Sequence, residues 1–368
     1  MTLLASAWSQ PDPNESKARA ALSKIDEYKA PVYDEPTGDA DYKRIYVIGY
    51  LRYLEKRNEM IWEFVQEFPG HERSKPLMEE YFTNLGGGTS PAINERVDKA
   101  VLDIDTIILH SPADWVKTMA SYYRAYYNLC KVLNRLRFLD SVEAPADDNE
   151  RRQVIQFGLA LIGEFTTAYP QEIRAVRLLD LLAESCHDPV SARALYARIL
   201  ADYPGHPNKT LYEGKMRRED KLGEPFEMTF EDALSGDQVD IKDYAGKVVL
   251  VVFWAKSVPV CEKLMAEVKR LWFRYQHEGL EVIDVSLDSV TGGGKKAYND
   301  FVKDHKLEWK HYFQGSGLDS EFSKSWGVNS LPTWFLVDRK GNLRHTDAAK
   351  KPEDKIKGLI KESEMTRR

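Results

Sequence analysis

The nine residues FWAKSVPVC, from Phe253 to Cys261, end on a residue type that can act as a nucleophile or a redox group. They follow the apolar run KVVLVV, which predicts a buried strand that ends near Trp254. Pro259 then favours the first turn of a helix. A thiol at a helix N-terminus is stabilised as the reactive thiolate, so the position of Cys261 in this helix decides what chemistry it can do.

The composition of the chain restricts the function classes that could use such a thiol. The chain has 368 residues, of which 43% are hydrophobic and 30% are charged, which is typical of a soluble protein of two or three domains. A net charge of -6, with basic and acidic residues interleaved, argues against a nucleic-acid partner. No run approaches the roughly 18 apolar residues of a membrane span.

The cysteines do not predict a disulfide scaffold or a metal centre. Cys130, Cys186 and Cys261 are the only three, and no pair has the spacing of a metal knuckle. We therefore expect no metal and no cofactor. Cys130 and Cys186 lie in predicted helices of the first half of the chain, where cysteines are usually core residues.

Helices are predicted for the first half of the chain. A short helix is expected from Glu15 to Tyr28, and from Tyr42 onwards apolar residues recur at helical spacing. Three helices are expected to end on an aromatic residue followed by proline, which cannot donate the next helical hydrogen bond. These prolines are Pro69, Pro170 and Pro204, and the last two are 34 residues apart, the tetratricopeptide period.

We interpret residues 42 to 215 as tetratricopeptide-like helical hairpins, which offer a concave surface to a partner. A generic helical bundle is the alternative. Residues 1 to 41 are expected to form an N-terminal tail and linker, in which Ala5-Ser6-Ala7 is either the remnant of a secretory signal or part of a disordered tail. The polar segment 208 to 225 is the predicted domain boundary, and residues 364 to 368 form a C-terminal tail.

Residues 216 to 363 show strands and helices in alternation, so an α/β domain is predicted there. The β-branched runs KVVLVVFWA and LEVIDVSLD indicate buried, largely parallel strands. The segment PTWFLVDRKGNLR indicates a strand, a turn and a return strand.

At this point the sequence resembles a known family. The segments GEPFEMTFEDALSGDQVDIKDYAGKVVLVVFWA, EVIDVSLDS and FSKSWGVNSLPTWFLVDRKGNLR are similar to the TlpA-type thioredoxin-like proteins, the redoxin group related to AhpC/TSA proteins. The resemblance implies a thioredoxin-like fold, thiol-disulfide exchange with a protein or peptide client that carries a thiol, and a location in a bacterial cell envelope. It also implies that Pro332 is a cis-proline, and that Leu331 and Pro332 form an edge on which the client docks.

This chain departs from the family's paired-cysteine motif. Aligned on that motif, the active-site turn runs from Trp254 through Ser257, Val258, Pro259 and Val260, with Val258 in the place of the first cysteine and Cys261 in that of the second. The first thiol attacks the substrate and the second resolves the mixed disulfide, so ordinary dithiol exchange is not expected.

Three interpretations of Cys261 remain open on the sequence alone. It is a buried core residue, a single redox-active thiol, or the thiol of a peroxiredoxin-like site. The peroxiredoxin pattern P-x-x-x-T-x-x-C would place its proline on Trp254 and its threonine on Val258, so two of its three residues are absent.

Two functions of different class follow. The domain is a single-thiol enzyme that uses Cys261, or a peptide-binding module that keeps the Leu331-Pro332 edge without the chemistry. The client, the electron donor and the oligomeric state are not specified by the sequence.

Overall fold

A computed structural model of the chain describes residues 13–32, 40–86, 93–141, 148–186, 188–291 and 294–365. The suggested signal remnant Ala5-Ser6-Ala7 lies outside these residues. The chain forms two compact units, Met1–Ser185 and Cys186–Arg368.

The first unit is all-helical in the part of the chain that the structure describes. Its helices are α1 Pro13–Glu27, α2 Ala40–Glu67, α3 Ser74–Leu85, α4 Ile93–Leu109, α5 Asp114–Ser141, α6 Asp148–Ala168 and α7 Ala175–Glu184. Consecutive helices pack on one another, and α5 also contacts α3 and α7. Apolar residues of α1 to α5, among them Ile61, Phe82 and Ile104, form a shared core.

The predicted proline stops coincide with helix ends. Helix α2 ends two residues before Pro69 and helix α6 two residues before Pro170. In the second unit, helix α8 (Pro189–Asp202) begins on the predicted cap, because the Asp188 carboxylate accepts hydrogen bonds from the backbone N–H groups of Val190 and Ser191. These local signals are confirmed, whereas the tetratricopeptide arrangement stays a prediction.

The second unit holds the α/β domain. A separate hairpin joins β1 Thr229–Glu231 to β2 Gln238–Asp240, and five further strands form a sheet in the order β5-β4-β3-β6-β7. These are β3 Val248–Trp254, β4 Leu280–Ser289, β5 Lys310–Gly315, β6 Thr333–Val337 and β7 Leu343–His345. The helices of this domain are α10 Pro259–Tyr275, α11 Gly294–Asp304, α12 Glu321–Ser325 and α13 Pro352–Met365.

The sheet is mixed, and its register follows the apolar pattern. Strand β3 pairs parallel with β4 and antiparallel with β6, while β4 pairs parallel with β5. Alternate residues of β3 enter two different cores: Val248, Leu250, Val252 and Trp254 join one cluster, and the residues between them join the other. The thioredoxin-like arrangement predicted for this part of the chain is thus confirmed.

The predicted boundary segment 208–225 contains a helix, α9 Lys209–Asp220, that belongs to the second unit and packs on α8 and α12. The sequence analysis missed this packing because it depends on a glycine and a lysine. The Gly214 backbone lies so close to Lys324 and Gly327 that no side chain fits between them. Lys215 is fully buried, with its ammonium 5.6 Å and 5.7 Å from the ring centres of Tyr196 and Tyr212.

A charged cluster lies inside the sheet at the β4-β5 pair. The fully buried Asp284 carboxylate accepts hydrogen bonds from the Tyr298 hydroxyl at 2.6 Å and the Trp309 indole at 2.9 Å. It also accepts one from His311 Nδ1 at 2.8 Å, and His311 Nε2 lies 3.2 Å from the Leu307 carbonyl oxygen. Because both partners of the imidazole are acceptors, this geometry suits a His311 ring with two protons, paired with a carboxylate.

Replacing Gly214 with alanine should destabilise the second unit. The new Cβ would lie 2.1 Å from the Lys324 carbonyl oxygen and 2.6 Å from the Gly327 nitrogen, so α9 must move off α12. We expect a loss of roughly 1–3 kcal/mol in the free energy of unfolding, measured by urea titration with tryptophan fluorescence. Gly358→Ala in α13 is the control, because its Cβ meets nothing within 4 Å and helix propensity predicts a gain. Equal midpoints for the two variants would contradict the close packing of α9.

The His311–Asp284 pair should make stability depend on pH. Burial alone lowers the pKa of His311, but the charge and hydrogen bond of Asp284, the Leu307 carbonyl and the charge of Asp232 together outweigh burial, and the net pKa is raised. The contribution of charged His311 is therefore complete below the ordinary pKa of about 6.5 and is lost as pH rises through the raised value. The difference in unfolding free energy between wild type and His311→Gln should shrink with rising pH.

His345 provides a control of opposite sign. Burial lowers its pKa, so its contribution is lost as pH falls, and the difference between wild type and His345→Gln should grow with rising pH. Urea titrations at several pH values measure both differences. If the difference in unfolding free energy between wild type and His311→Gln did not change with pH, that result would argue against a charged His311–Asp284 pair.

Candidate functional site

The turn after β3 carries the residues that the sequence analysis placed at the active site. Val258 is the N-cap of α10, with φ -102° and ψ 108°, and Pro259 is the first residue of the helix. The Val258 N–H donates to the Ala255 carbonyl at 3.1 Å, and the Cys261 N–H donates to the Val258 carbonyl at 2.9 Å. An apolar side chain thus occupies the helix N-terminus, where a nucleophilic thiol would be best stabilised.

The carboxylate of Asp288, at the end of β4, holds this turn in place. It accepts hydrogen bonds from the backbone N–H of Lys256 at 2.9 Å and of Ser257 at 3.2 Å. The Ser286 hydroxyl donates a third at 3.0 Å. Asp288 is 8% exposed, so these bonds are made in a largely water-free position and fix the turn against the sheet.

Cys261 lies beneath the turn and has no exposed surface. It is part of the core cluster that contains Trp254, Met265 and Trp334. Burial raises the pKa of the Cys261 thiol, the negative charge of Asp288 raises it further, and a backbone hydrogen bond with Ala255 opposes both. A covered thiol with a raised pKa is poorly suited to nucleophilic attack at neutral pH.

The rest of the turn faces outward. Lys256, Ser257 and Pro259 are exposed, and Val260 is 50% exposed. Trp254 differs from them, because it is fully buried at the end of β3 and its indole N–H has no hydrogen-bond partner among the described residues. It supports the turn from below rather than forming part of its surface.

The Leu331–Pro332 peptide bond is cis, as the resemblance implies. Leu331 and Pro332 are half-buried and directly precede β6, whose Thr333 lies opposite Phe253 at the end of β3. Val258 and Leu331 also pack against the same core cluster, so the sheet brings the turn and the proposed docking edge together.

The backbone of Leu331 is open to a partner. Within the part of the chain that the structure describes, neither its N–H nor its carbonyl takes part in a hydrogen bond. A half-buried, unpaired residue beside a strand is the geometry that β-strand addition by a peptide requires.

The remaining candidate groups do not extend this site. None of the three cysteines forms a disulfide; Cys130 and Cys186 are half-buried, and burial raises the pKa of Cys130. No cluster of three or more His, Cys, Asp or Glu side chains in the described ranges could hold a metal ion. No helix in those ranges has the length and apolarity to cross a bilayer.

Asp288 is the residue whose role sequence reasoning missed. The strand end VSLD was noted as a family landmark, but the pattern gave no indication that its last carboxylate binds the backbone of a turn about thirty residues earlier. A buried acid at the end of a predicted central strand was the one available signal.

Comparison with known proteins finds relatives of the α/β domain that are thiol-disulfide oxidoreductases. Residues 223–346 match the AhpC/TSA family. The thiol-disulfide oxidoreductase ResA of Bacillus cereus is 28% identical over 165 residues, covering 44% of this chain and 91% of its own length. ResA of Bacillus thuringiensis subsp. konkukian is 29% identical over 154 residues, covering 41% of this chain and 85% of its own length.

A solved structure is also similar to part of this chain. The thioredoxin domain of a thiol-disulfide oxidoreductase from Bacteroides vulgatus is 21% identical, with 37% of this chain and 97% of that chain covered and a TM-score of 0.31. The strand order, the family match and the two ResA relatives together show that the C-terminal α/β domain is thioredoxin-like and similar to thiol-disulfide oxidoreductases.

We expect Cys261 to resist alkylation in the native protein. In a Cys130→Ser, Cys186→Ser background, iodoacetamide at neutral pH should leave the intact mass unchanged until denaturant exposes the thiol, because Cys261 is covered and its pKa is raised. Val258→Cys in the same background is the control, since a thiol at the half-buried helix N-cap should react in the native state. Complete native modification of Cys261, with an apparent pKa below the ordinary value of about 8.5, would show an activated thiolate.

Proposed function

We propose that the thioredoxin-like domain is a peptide-binding module, which holds an extended segment of a client protein at Leu331-Pro332 without dithiol exchange. The observation that carries this proposal is the burial of the one remaining thiol beneath a turn whose N-cap is a valine. We also propose an extracytoplasmic location, because the domain resembles redox proteins of the bacterial cell envelope.

The loss of chemistry follows from the different roles of the two thiols in a paired site. Exchange begins when a thiolate attacks a disulfide sulfur, and the resolving thiol acts only afterwards. Val258 cannot attack, and Cys261 cannot be reached from outside the native turn. Single-thiol exchange through Cys261 is the competing function, and it requires the turn to open.

The docking surface does not depend on either thiol. Leu331 offers a backbone donor and acceptor, and the exposed Pro259 and Val260 add apolar surface at the neighbouring start of α10. Main-chain pairing gives affinity for any extended segment, while the apolar surface selects side chains. The turn itself is held by Asp288, so the surface is formed before a client arrives.

A bound peptide should protect the Leu331 amide from hydrogen exchange. The probe is a cysteine-free peptide selected from a random linear library against the full chain. Because the Leu331 N–H is unpaired in the free protein, pairing with the peptide should slow its exchange by about tenfold or more. The Lys256 and Ser257 amides, already bonded to Asp288, should be unaffected.

A pair of matched variants locates the peptide. Val260 and Val190 are both exposed and both follow a proline in the first turn of a helix, α10 and α8 respectively. Val260→Lys should weaken binding of the selected peptide, whereas Val190→Lys should leave its binding unchanged. Protection elsewhere on the domain, with both variants equal to wild type, would refute docking at this edge.

A further inference from the structure

Four tyrosines of α5 line a cavity in the first unit that neither the fold resemblance nor the proposed function uses. Two pairs of these tyrosines, Tyr122 with Tyr126 and Tyr123 with Tyr127, are each four residues apart, and the two pairs are adjacent along the chain. Their rings therefore share one side of the helix. The cavity measures about 580 Å³, within the range of small-molecule sites. We call it the tyrosine pocket.

The hydroxyl groups of the tyrosine pocket are not all used by the protein. The Tyr127 hydroxyl donates to the Phe82 carbonyl at 2.6 Å, the Tyr123 hydroxyl lies near the Thr83 side chain, and the Tyr126 hydroxyl lies near Cys130. Tyr122 is only 8% exposed, yet its hydroxyl has no hydrogen-bond partner among the described residues. Burial raises the pKa of Tyr122, so this hydroxyl remains a donor at neutral pH.

The charge of the lining has one sign. Arg96 and Arg177 contribute to the wall, and no Asp or Glu is among the described lining residues. The Arg177 side chain is 56% exposed, and its nearest carboxylate, that of Asp180, lies 3.8 Å away, beyond hydrogen-bonding distance. Arg177 lines the pocket and is ion-paired with Asp180 at this long distance, and because a guanidinium carries five N–H donors, donors remain for an anion.

We propose that the tyrosine pocket binds an aromatic carboxylate, with the ring among the tyrosines and the acid on Arg177 and the Tyr122 hydroxyl. Aromatic pairs gain energy beyond the area they bury, which favours an aromatic over an aliphatic group. Guanidinium and carboxylate form the strong, bidentate type of hydrogen bond. Aromatic cages also bind cations such as quaternary ammonium, but two arginines in the wall oppose a positive ligand.

Calorimetry on the full chain tests the proposal with three probes. N-acetyl-L-phenylalanine should bind. N-acetyl-L-phenylalaninamide should bind with an affinity lower by a factor of about ten or more, because it lacks the charged acceptor. Tetramethylammonium should not bind. No heat from the acid, equal affinity for acid and amide, or preference for tetramethylammonium would each overturn the proposal.

Variants assign the groups. Arg177→Gln should lower the affinity for the acid about tenfold or more and leave the affinity for the amide unchanged. Tyr122→Phe should lower the affinity for the acid by a smaller factor. Arg124→Gln is the control, because Arg124 is an exposed arginine of α5, paired with Asp105, that is not part of the lining. An equal effect of Arg177→Gln and Arg124→Gln would show a general charge effect and overturn the assignment.

The same chemistry has two sources, a free aromatic acid or a polypeptide that ends in an aromatic residue. A pentapeptide ending in phenylalanine distinguishes the two sources. If the pentapeptide binds more tightly than N-acetyl-L-phenylalanine, the ligand is the end of a polypeptide. If it binds equally or more weakly, the ligand is the free acid. The pocket lies in the first unit, so the outcome does not depend on peptide binding at Leu331.

Discussion

Burial of strand β3 is the constraint on which the rest of the α/β domain depends. All seven of its residues are buried, and it is hydrogen-bonded to β4 on one side and β6 on the other. A strand covered on both faces and paired on both edges cannot shift its register without exposing its apolar residues. Its end therefore fixes where the α10 turn, the end of β4 and the start of β6 meet.

The turn at this end is held in place without a cysteine at position 258. Asp288 satisfies two backbone donors of the turn, so the loop conformation does not rely on a cysteine. Leaving the Asp288 carboxylate, which is 8% exposed, without these donors would cost on the order of 1–3 kcal/mol. Asp288 and the buried Cys261 thus both make contacts within the fold that do not depend on a thiol at position 258.

The all-helical and α/β units present recognition surfaces of different kinds. In the proposed function the α/β domain uses a backbone edge, which would bind an extended chain mainly through main-chain pairing. The helical unit holds a pocket lined by tyrosines and two arginines, which we propose binds a particular chemical group. Neither surface requires a reactive cysteine.

The sequence by itself determined the elements and the absence of a second cysteine near Cys261. Hydrophobic periodicity and turn residues are local features of the sequence, so they predict elements without coordinates. They gave the alternation of strands and helices, the helix ends before Pro69 and Pro170, and the Asp188 cap. The valine at position 258 was read directly from the sequence. The resemblance added the cis bond at Pro332.

Only the tertiary structure decided which groups are covered, bonded or open. The burial of Cys261, the bonds of Asp288, the packing of α9 through Gly214 and the unpaired backbone of Leu331 all join residues distant in sequence. Such contacts depend on how the strands are ordered and how closely backbones approach, and neither property leaves a periodic trace along the chain.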